Sequence, residues 1–156
     1  DGYCFGVGLE MVLSCDIRLG TGRTQLALPE MNLGMIPGSG GTQRLGRLVG
    51  VGRAIEMILT GRFADAEEAL RIGLVTSVVE PEELLAAARS TAETILSKGP
   101  LAVRLAKLVV RTGLDADQGT GLVVERLAQA LLYGSSDKAE GTEAFLDKRT
   151  PEFKGK

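Results

Sequence analysis

Two glutamates twenty residues apart, Glu10 and Glu30, each sit in a stretch punctuated by glycine or proline. The first closes Asp1-Gly2-Tyr3-Cys4-Phe5-Gly6-Val7-Gly8-Leu9-Glu10, and the second lies in Leu28-Pro29-Glu30-Met31-Asn32-Leu33-Gly34. Paired carboxylates in different surroundings can divide acid–base work, one releasing a proton while the other takes one up. The chain has no histidine. That removes Ser-His-Asp and Cys-His nucleophilic catalysis, His-ligated zinc and imidazole proton shuttling. Acid–base chemistry therefore falls to carboxylates, lysines, tyrosines or water.

A helix starting near Val7 places Glu10 in its first turn, where free N–H groups and the helix dipole favour negative charge. A first-turn glutamate taken alone is ordinarily a solvated surface acid. Here Leu9, Met11, Val12 and Leu13 surround it, and an acid among apolar residues is costly unless used. Glu30 alone would be an ordinary turn carboxylate. With both beside glycine-rich loops, the functional reading gains. A third loop, Met35 to Leu45, contains Gly38-Ser39-Gly40-Gly41 and opens a helix. Its free N–H groups suit an oxyanion or a polar ligand, or the loop is simply a tight packing turn. It lacks the Gly-Lys-Ser/Thr ending of a P-loop and is not the dinucleotide fingerprint.

The elements that must position these groups follow from local pattern. Asp16–Leu19 and Gln25–Leu28 read as short strands around a Gly-Thr-Gly-Arg turn. Ser39–Leu48 reads as a helix, and Val51–Leu59 as another with its apolar face at 51, 54, 55, 58 and 59. Asp65 caps a helix closed by Gly73. Leu74–Val79 reads as a strand. Pro81 starts a helix whose inner face is Leu84, Leu85, Ala88, Ala92, Ile95 and Leu96. Helices over Pro100–Val110, Leu122–Tyr133 and Lys138–Lys148 complete the chain. Phe145 and Lys148, three apart, would share a face of the last one.

At 156 residues the chain has the length of one domain with a real core. Aromatics at 4% leave little for base stacking, and a net charge of −2 lacks the basic excess that phosphate backbones require, so nucleic acid is not expected. Cys4 and Cys15 are too few for a Cys-only zinc site, and no metal is expected. No apolar run approaches the roughly 20 residues that span a bilayer, so no membrane partner is expected. The chain opens on Asp1 and directly on a loop motif, which reads as the C-terminal portion of a longer protein, with a cytoplasmic or organellar-matrix location.

In this order the motifs resemble those of the crotonase (enoyl-CoA hydratase/isomerase) superfamily. The Gly2-Tyr3 to Cys15-Asp16 segment is similar to its Asn-Gly…Gly-Gly-Gly-x-Glu…Cys-Asp motif, and Pro29-Glu30 to Arg44-Leu45 to its Pro-Glu…Pro-Gly-x-Gly-Gly-Thr-Gln-Arg-Leu signature. Thr60-Gly61 through Gly73-Leu74-Val75 and Glu140-Gly141 through Lys148-Arg149 match two further stretches. The resemblance implies an α/β fold: a partial crotonase-like ββα spiral over 1–80, then a helical trimerisation region over 81–156. It implies an acyl-CoA thioester substrate, coenzyme A being part of that substrate and no separate cofactor being needed, and a homotrimer or hexamer.

It also implies residue roles. Glu10 and Glu30 would hold a water between them, Glu10 as base and Glu30 as acid. The Val7 N–H would be one of two oxyanion donors, the other lying upstream of this chain. Loss of one donor typically costs about 10²–10³ in rate, so this chain alone is expected to be nearly inactive. Gly6, Gly8, Pro37 and Gly38 would border the substrate, and Phe145 and Lys148 the CoA moiety. Asp1 stands where the family commonly has Asn, and Val7 replaces a glycine. Hydration of an enoyl-CoA is the expected reaction; an isomerase, an acyl-CoA hydrolase, or a non-catalytic assembly or RNA-binding homologue are the alternatives.

Overall fold

A computed structural model describes residues 1–156, which form two compact units, 1–88 and 89–156. The division falls after Ala88, inside the helix that follows Pro81, whereas the sequence marks its change of character at 80/81.

In the first unit β1 (Tyr3–Phe5) leads into α1 (Val7–Leu13), followed by β2 (Leu19–Thr21) and β3 (Gln25–Ala27). A 3-10 turn over Pro29–Leu33 precedes α2 (Gly41–Val49) and α3 (Val51–Thr60). Then come β4 (Ala64–Asp65), α4 (Ala66–Arg71), β5 (Ser77–Val79), a second 3-10 turn over Pro81–Glu83, and α5 (Leu84–Leu96). β1 and β3 pair in parallel, Tyr3 opposite Gln25 and Phe5 opposite Ala27, with β4 antiparallel on the other side of β3. β2 pairs in parallel with β5 in a separate sheet. Parallel pairing aligns the carboxyl ends of β1 and β3, which is where ligands gather in α/β sheets. The segments leaving those ends are Gly6-Val7 and Leu28-Pro29-Glu30, so the register itself brings the two glutamate-bearing stretches together. Leu9, Leu28, Leu45, Met57 and Leu74 are fully buried beneath them.

Several elements depart from the sequence expectations. The strand expected over Asp16–Leu19 starts only at Leu19, because Arg18 turns inward: its Nε donates to the Leu74 carbonyl at 2.7 Å and its Nη1 to the Cys15 carbonyl at 2.6 Å. The flanking strands do not pair with each other across their turn, but with β5 and β1. Of the strand expected over Leu74–Val79, only Ser77–Val79 is laddered. The Leu74 and Val75 amides instead both donate to the Ala69 carbonyl, closing α4 with Gly73 in the left-handed region. In α3 the buried stripe is Ala54, Met57 and Ile58, while Val51, Ile55 and Leu59 face outward. The helix carries two apolar stripes and this unit covers one of them. Along α5, Leu84, Ala87, Ala88 and Thr91 are half-buried, and the expected inner residues Leu85, Ile95 and Leu96 are exposed.

The second unit is helical: α6 (Pro100–Asp115), α7 (Gln118–Tyr133) and α8 (Ser136–Leu146) follow α5. α6 and α7 pack on one another, close enough near their junction that a Cβ on Gly121 would lie 3.3 Å from the Gly113 Cα. Asp117 caps α7 by accepting the Thr120 N–H, and Ser135 caps α8 by accepting the Lys138 N–H. The C-terminal segment folds back over α8. The buried Asp137 carboxylate accepts the Lys154 and Gly155 amides at 2.7 and 2.8 Å. Glu140 accepts a two-pronged pair from Arg149 and the Glu152 N–H, which pull its carboxyl down to about 2. No helix is long and apolar enough to cross a membrane.

Candidate active site

Gly6 begins the site. It follows β1, donates its N–H to the Ala27 carbonyl at 3.0 Å, and caps α1 with φ +54, a conformation that disfavours residues with a Cβ. Its carbonyl accepts the Glu10 N–H at 3.0 Å, closing the first turn of α1. That turn faces Glu10 inward, leaving it 2% exposed.

A buried carboxylate needs donors, and the chain supplies them from a distant loop. Glu10 Oε1 accepts the Ser39 N–H at 2.7 Å and the Gly41 N–H at 2.8 Å. These belong to the first residues of α2 and the loop ahead of it, whose amides no intrahelical carbonyl can satisfy. Glu10 is thus the cap of a helix on which it does not lie. The Gly38–Gly41 loop, expected to offer free N–H groups to a ligand, spends two of its amides on this internal carboxylate. The fit is close: a Cβ on Gly41 would fall 2.9 Å from Glu10 Oε1, 2.9 Å from Pro37 Cβ and 3.0 Å from Leu28 Cδ1. Pro37 is buried against this turn and Gly38 is exposed beside it.

Glu30 is different. It occupies the second position of the Pro29–Leu33 turn, which Pro29 starts and Gly34 closes in the left-handed region. Its Oε1 lies against Gly6, where a Cβ would come within 3.0 Å. Its Oε2 is buried and has no hydrogen-bond partner. An orphaned buried carboxylate oxygen costs on the order of 1–3 kcal/mol and calls for an explanation. The Glu30 carboxylate thus touches Gly6, while Glu10 bonds the Gly6 carbonyl through its main-chain N–H and sends its carboxylate to Ser39 and Gly41.

Val7 opens α1, so its N–H has no carbonyl four residues back to bond. Its side chain is 60% exposed. Gly8 is also exposed, and a Cβ there would only touch Cys4 Sγ at 4.0 Å, so packing within this chain does not require glycine. Burial pushes the Cys4 thiol up, away from the thiolate that a nucleophile needs.

Phe145 and Lys148 belong to the second unit. Phe145 is 81% exposed on α8 and, with Leu101, Leu132 and Phe153, lines a cavity of about 620 Å³. Lys148 does not share a helical face with it. α8 ends at Leu146, and Lys148 lies beyond it with φ +55. The Lys148 N–H donates to the Phe145 carbonyl and the Arg149 N–H to the Ala144 carbonyl, a helix-closing pair that glycine usually makes.

The donors to Glu10 are what reasoning from sequence missed. The signal was present: an acid buried among apolar residues must find donors, and a glycine-rich loop opening a helix is a ready source of unpaired amides.

The enoyl-CoA hydratase/isomerase family matches residues 1–156 from end to end. The chain belongs to that family. It is 44% identical over 153 residues to the crotonyl-CoA hydratase of Syntrophomonas wolfei, covering 98% of this chain and 59% of that protein. It is 43% identical over 149 residues to the short-chain-enoyl-CoA hydratase of Clostridium acetobutylicum, covering 96% and 57%. The crystal structure of enoyl-CoA hydratase from Bacillus anthracis superposes with a TM-score of 0.97 at 47% identity, over 99% of this chain and 60% of that one. Like those relatives, this family member has the mixed α/β crotonase fold, and it spans about 60% of their length.

Proposed function

We propose that this chain carries the acid–base pair of an enoyl-CoA hydratase, which adds water across the 2,3 double bond of an enoyl-CoA thioester. The observation that carries the reading is the orphaned, buried Oε2 of Glu30, whose Oε1 lies against Gly6 at the start of the helix that carries the amide-held Glu10. A buried oxygen with no donor is matched by a molecule that brings one, and water does so while serving as the reactant. Glu10, fixed through Oε1, is the base. It takes a proton from the water as the water oxygen bonds to Cβ and the double-bond electrons move toward the thioester oxygen. The Val7 N–H stabilises the charge developing on that oxygen, and Glu30 delivers a proton to Cα. Oxygen and two hydrogens are then added, and one proton returned from Glu10 to Glu30 restores the starting state. Coenzyme A enters only as part of the substrate.

The relatives named as hydratases support the substrate class. The test is crotonyl-CoA supplied to the intact protein, with the product identified. Glu30→Gln is expected to slow formation of the 3-hydroxyacyl thioester by about 10²–10⁴ with little change in KM. Isomerised or hydrolysed product, or an unchanged kcat, would remove the assignment. We also propose self-association through the helical unit, where Leu108, Leu122, Val123, Leu127 and Leu131 are exposed together on α6 and α7. A monomer on sedimentation of the intact protein at micromolar concentration would contradict it.

A further inference from the structure

We infer that Gly61 is a positioning residue for Glu30, a backbone seat on which the turn carrying that carboxylate rests; this builds on the reading of Glu30 as the proton donor. Gly61 ends α3. It is buried, has φ +62, and donates its N–H to the Met57 carbonyl at 3.0 Å. Nothing in that role alone demands close contact. Yet α3 packs against the Pro29–Leu33 turn, and a Cβ on Gly61 would lie 3.3 Å from the Pro29 Cα and 3.2 Å from Asn32 Nδ2.

The Pro29 contact matters most. It is to main chain, so no rotamer change relieves it, and it falls on the residue bonded directly to Glu30. Proline's fixed φ leaves that segment little freedom to absorb a push locally. At the other end of Glu30, its Oε1 already lies where a Cβ on Gly6 would come within 3.0 Å. The residue is therefore seated at its backbone end by Gly61 and met at its carboxylate end by Gly6. A methyl group on Gly61 must move the turn by some tenths of an ångström, and the carboxylate moves with it. Because a 1 Å misplacement at a reacting centre can cost about 10²-fold, a shift of this size is expected to cost about tenfold in kcat.

The chain contains its own control. Gly73 ends α4 with φ +77, and a Cβ there would meet nothing within 4 Å. Gly73→Ala thus carries the left-handed backbone penalty without the contact, whereas Gly61→Ala carries both.

The experiment measures kcat, KM and melting temperature for hydration of crotonyl-CoA by the intact protein and its Gly61→Ala, Gly73→Ala and Glu30→Gln variants. The expected result is a roughly tenfold loss of kcat in Gly61→Ala with KM within about twofold, and a kcat within about twofold of the parent in Gly73→Ala despite a lowered melting temperature. Equal kcat in the two glycine variants overturns the inference. Glu30→Gln separates the two levels: if it retains kcat, the reading of Glu30 itself fails. If it loses kcat while Gly61→Ala does not, only the seating role of Gly61 fails. Should Gly61→Ala not fold, Asn32→Ala removes the exposed side chain resting on Gly61. A kcat about threefold lower at unchanged KM supports the seat, and an unchanged kcat overturns it.

Discussion

Glu10 and Glu30 are the same residue type, delivered to the same end of the same parallel strand pair, and the chain treats them in opposite ways. Glu10 is buried and receives two amide donors from the start of α2. Glu30 is half-buried and keeps one oxygen with no donor at all. Proximity to one strand end therefore does not decide whether an acid's oxygens find donors within the chain. Glu10 ties α1 to the start of α2 through Oε1. Glu30 contributes nothing comparable to the fold, and its orphaned oxygen is a local cost of the kind that persists at functional sites.

The contrast breaks first on activity. Glu10→Gln and Glu30→Gln are each expected to lower kcat by about 10²–10⁴ at nearly constant KM. If only one does so in steady-state assays of the intact protein, the two acids are not partners. Gly41→Ala comes next. Its Cβ would press on Glu10 Oε1, Pro37 and Leu28 together, so stability should fall by about 1–3 kcal/mol alongside kcat, as overpacking does. A variant that loses kcat at full stability would mean that Glu10 has no structural duty.

Alanine substitutions sharpen the point by denaturant unfolding. Glu10→Ala strands two amides and should cost about 1–3 kcal/mol, whereas Glu30→Ala removes a buried orphan and should be neutral or slightly stabilising. Equal losses would erase the distinction. Lys148 is a second residue held against local preference. Lys148→Gly should add up to about 1 kcal/mol by relieving its positive φ, and if Lys148 meets a CoA phosphate the apparent KM should rise with it.

The smallest effect concerns Glu140, a carboxylate fully supplied with donors. Its folded pKa of about 2 lies below its ordinary value of 4.5. Its support for the C-terminal segment is therefore present above about pH 4.5 and lost as pH falls towards 2. Protection of the Glu152 amide, measured against its intrinsic exchange rate at each pH, that does not fall across that window would show that the Glu140 carboxylate does not hold this amide in solution.

Much of this was legible in sequence because it is local. The Gly6 turn into α1, Pro29 ahead of Glu30, the Asp65 cap and Gly73 as a stop each depend on residues within one turn of each other. What was not legible is non-local. The donors to Glu10 lie 29 and 31 residues away. The choice between two apolar stripes on α3 depends on which neighbour arrives, and Lys148 occupies a left-handed position that composition assigns to glycine. The parallel pairing of β2 with β5 leaves no mark in either strand.

That last pairing has a consequence for how the chain acquires its structure. Arg18 and Thr76, joined at the edge of the β2–β5 ladder, are 58 residues apart. During synthesis β2 must stay unpaired until the whole stretch through β5 has emerged, while β1 needs only β3. Closing that long loop is the slow, entropically costly contact, and helices such as α6 and α7, whose contacts are near in sequence, have no such wait. Arg18, whose buried guanidinium reaches the Leu74 carbonyl, sits at the latch, so its loss should show as slower refolding before it shows anywhere else.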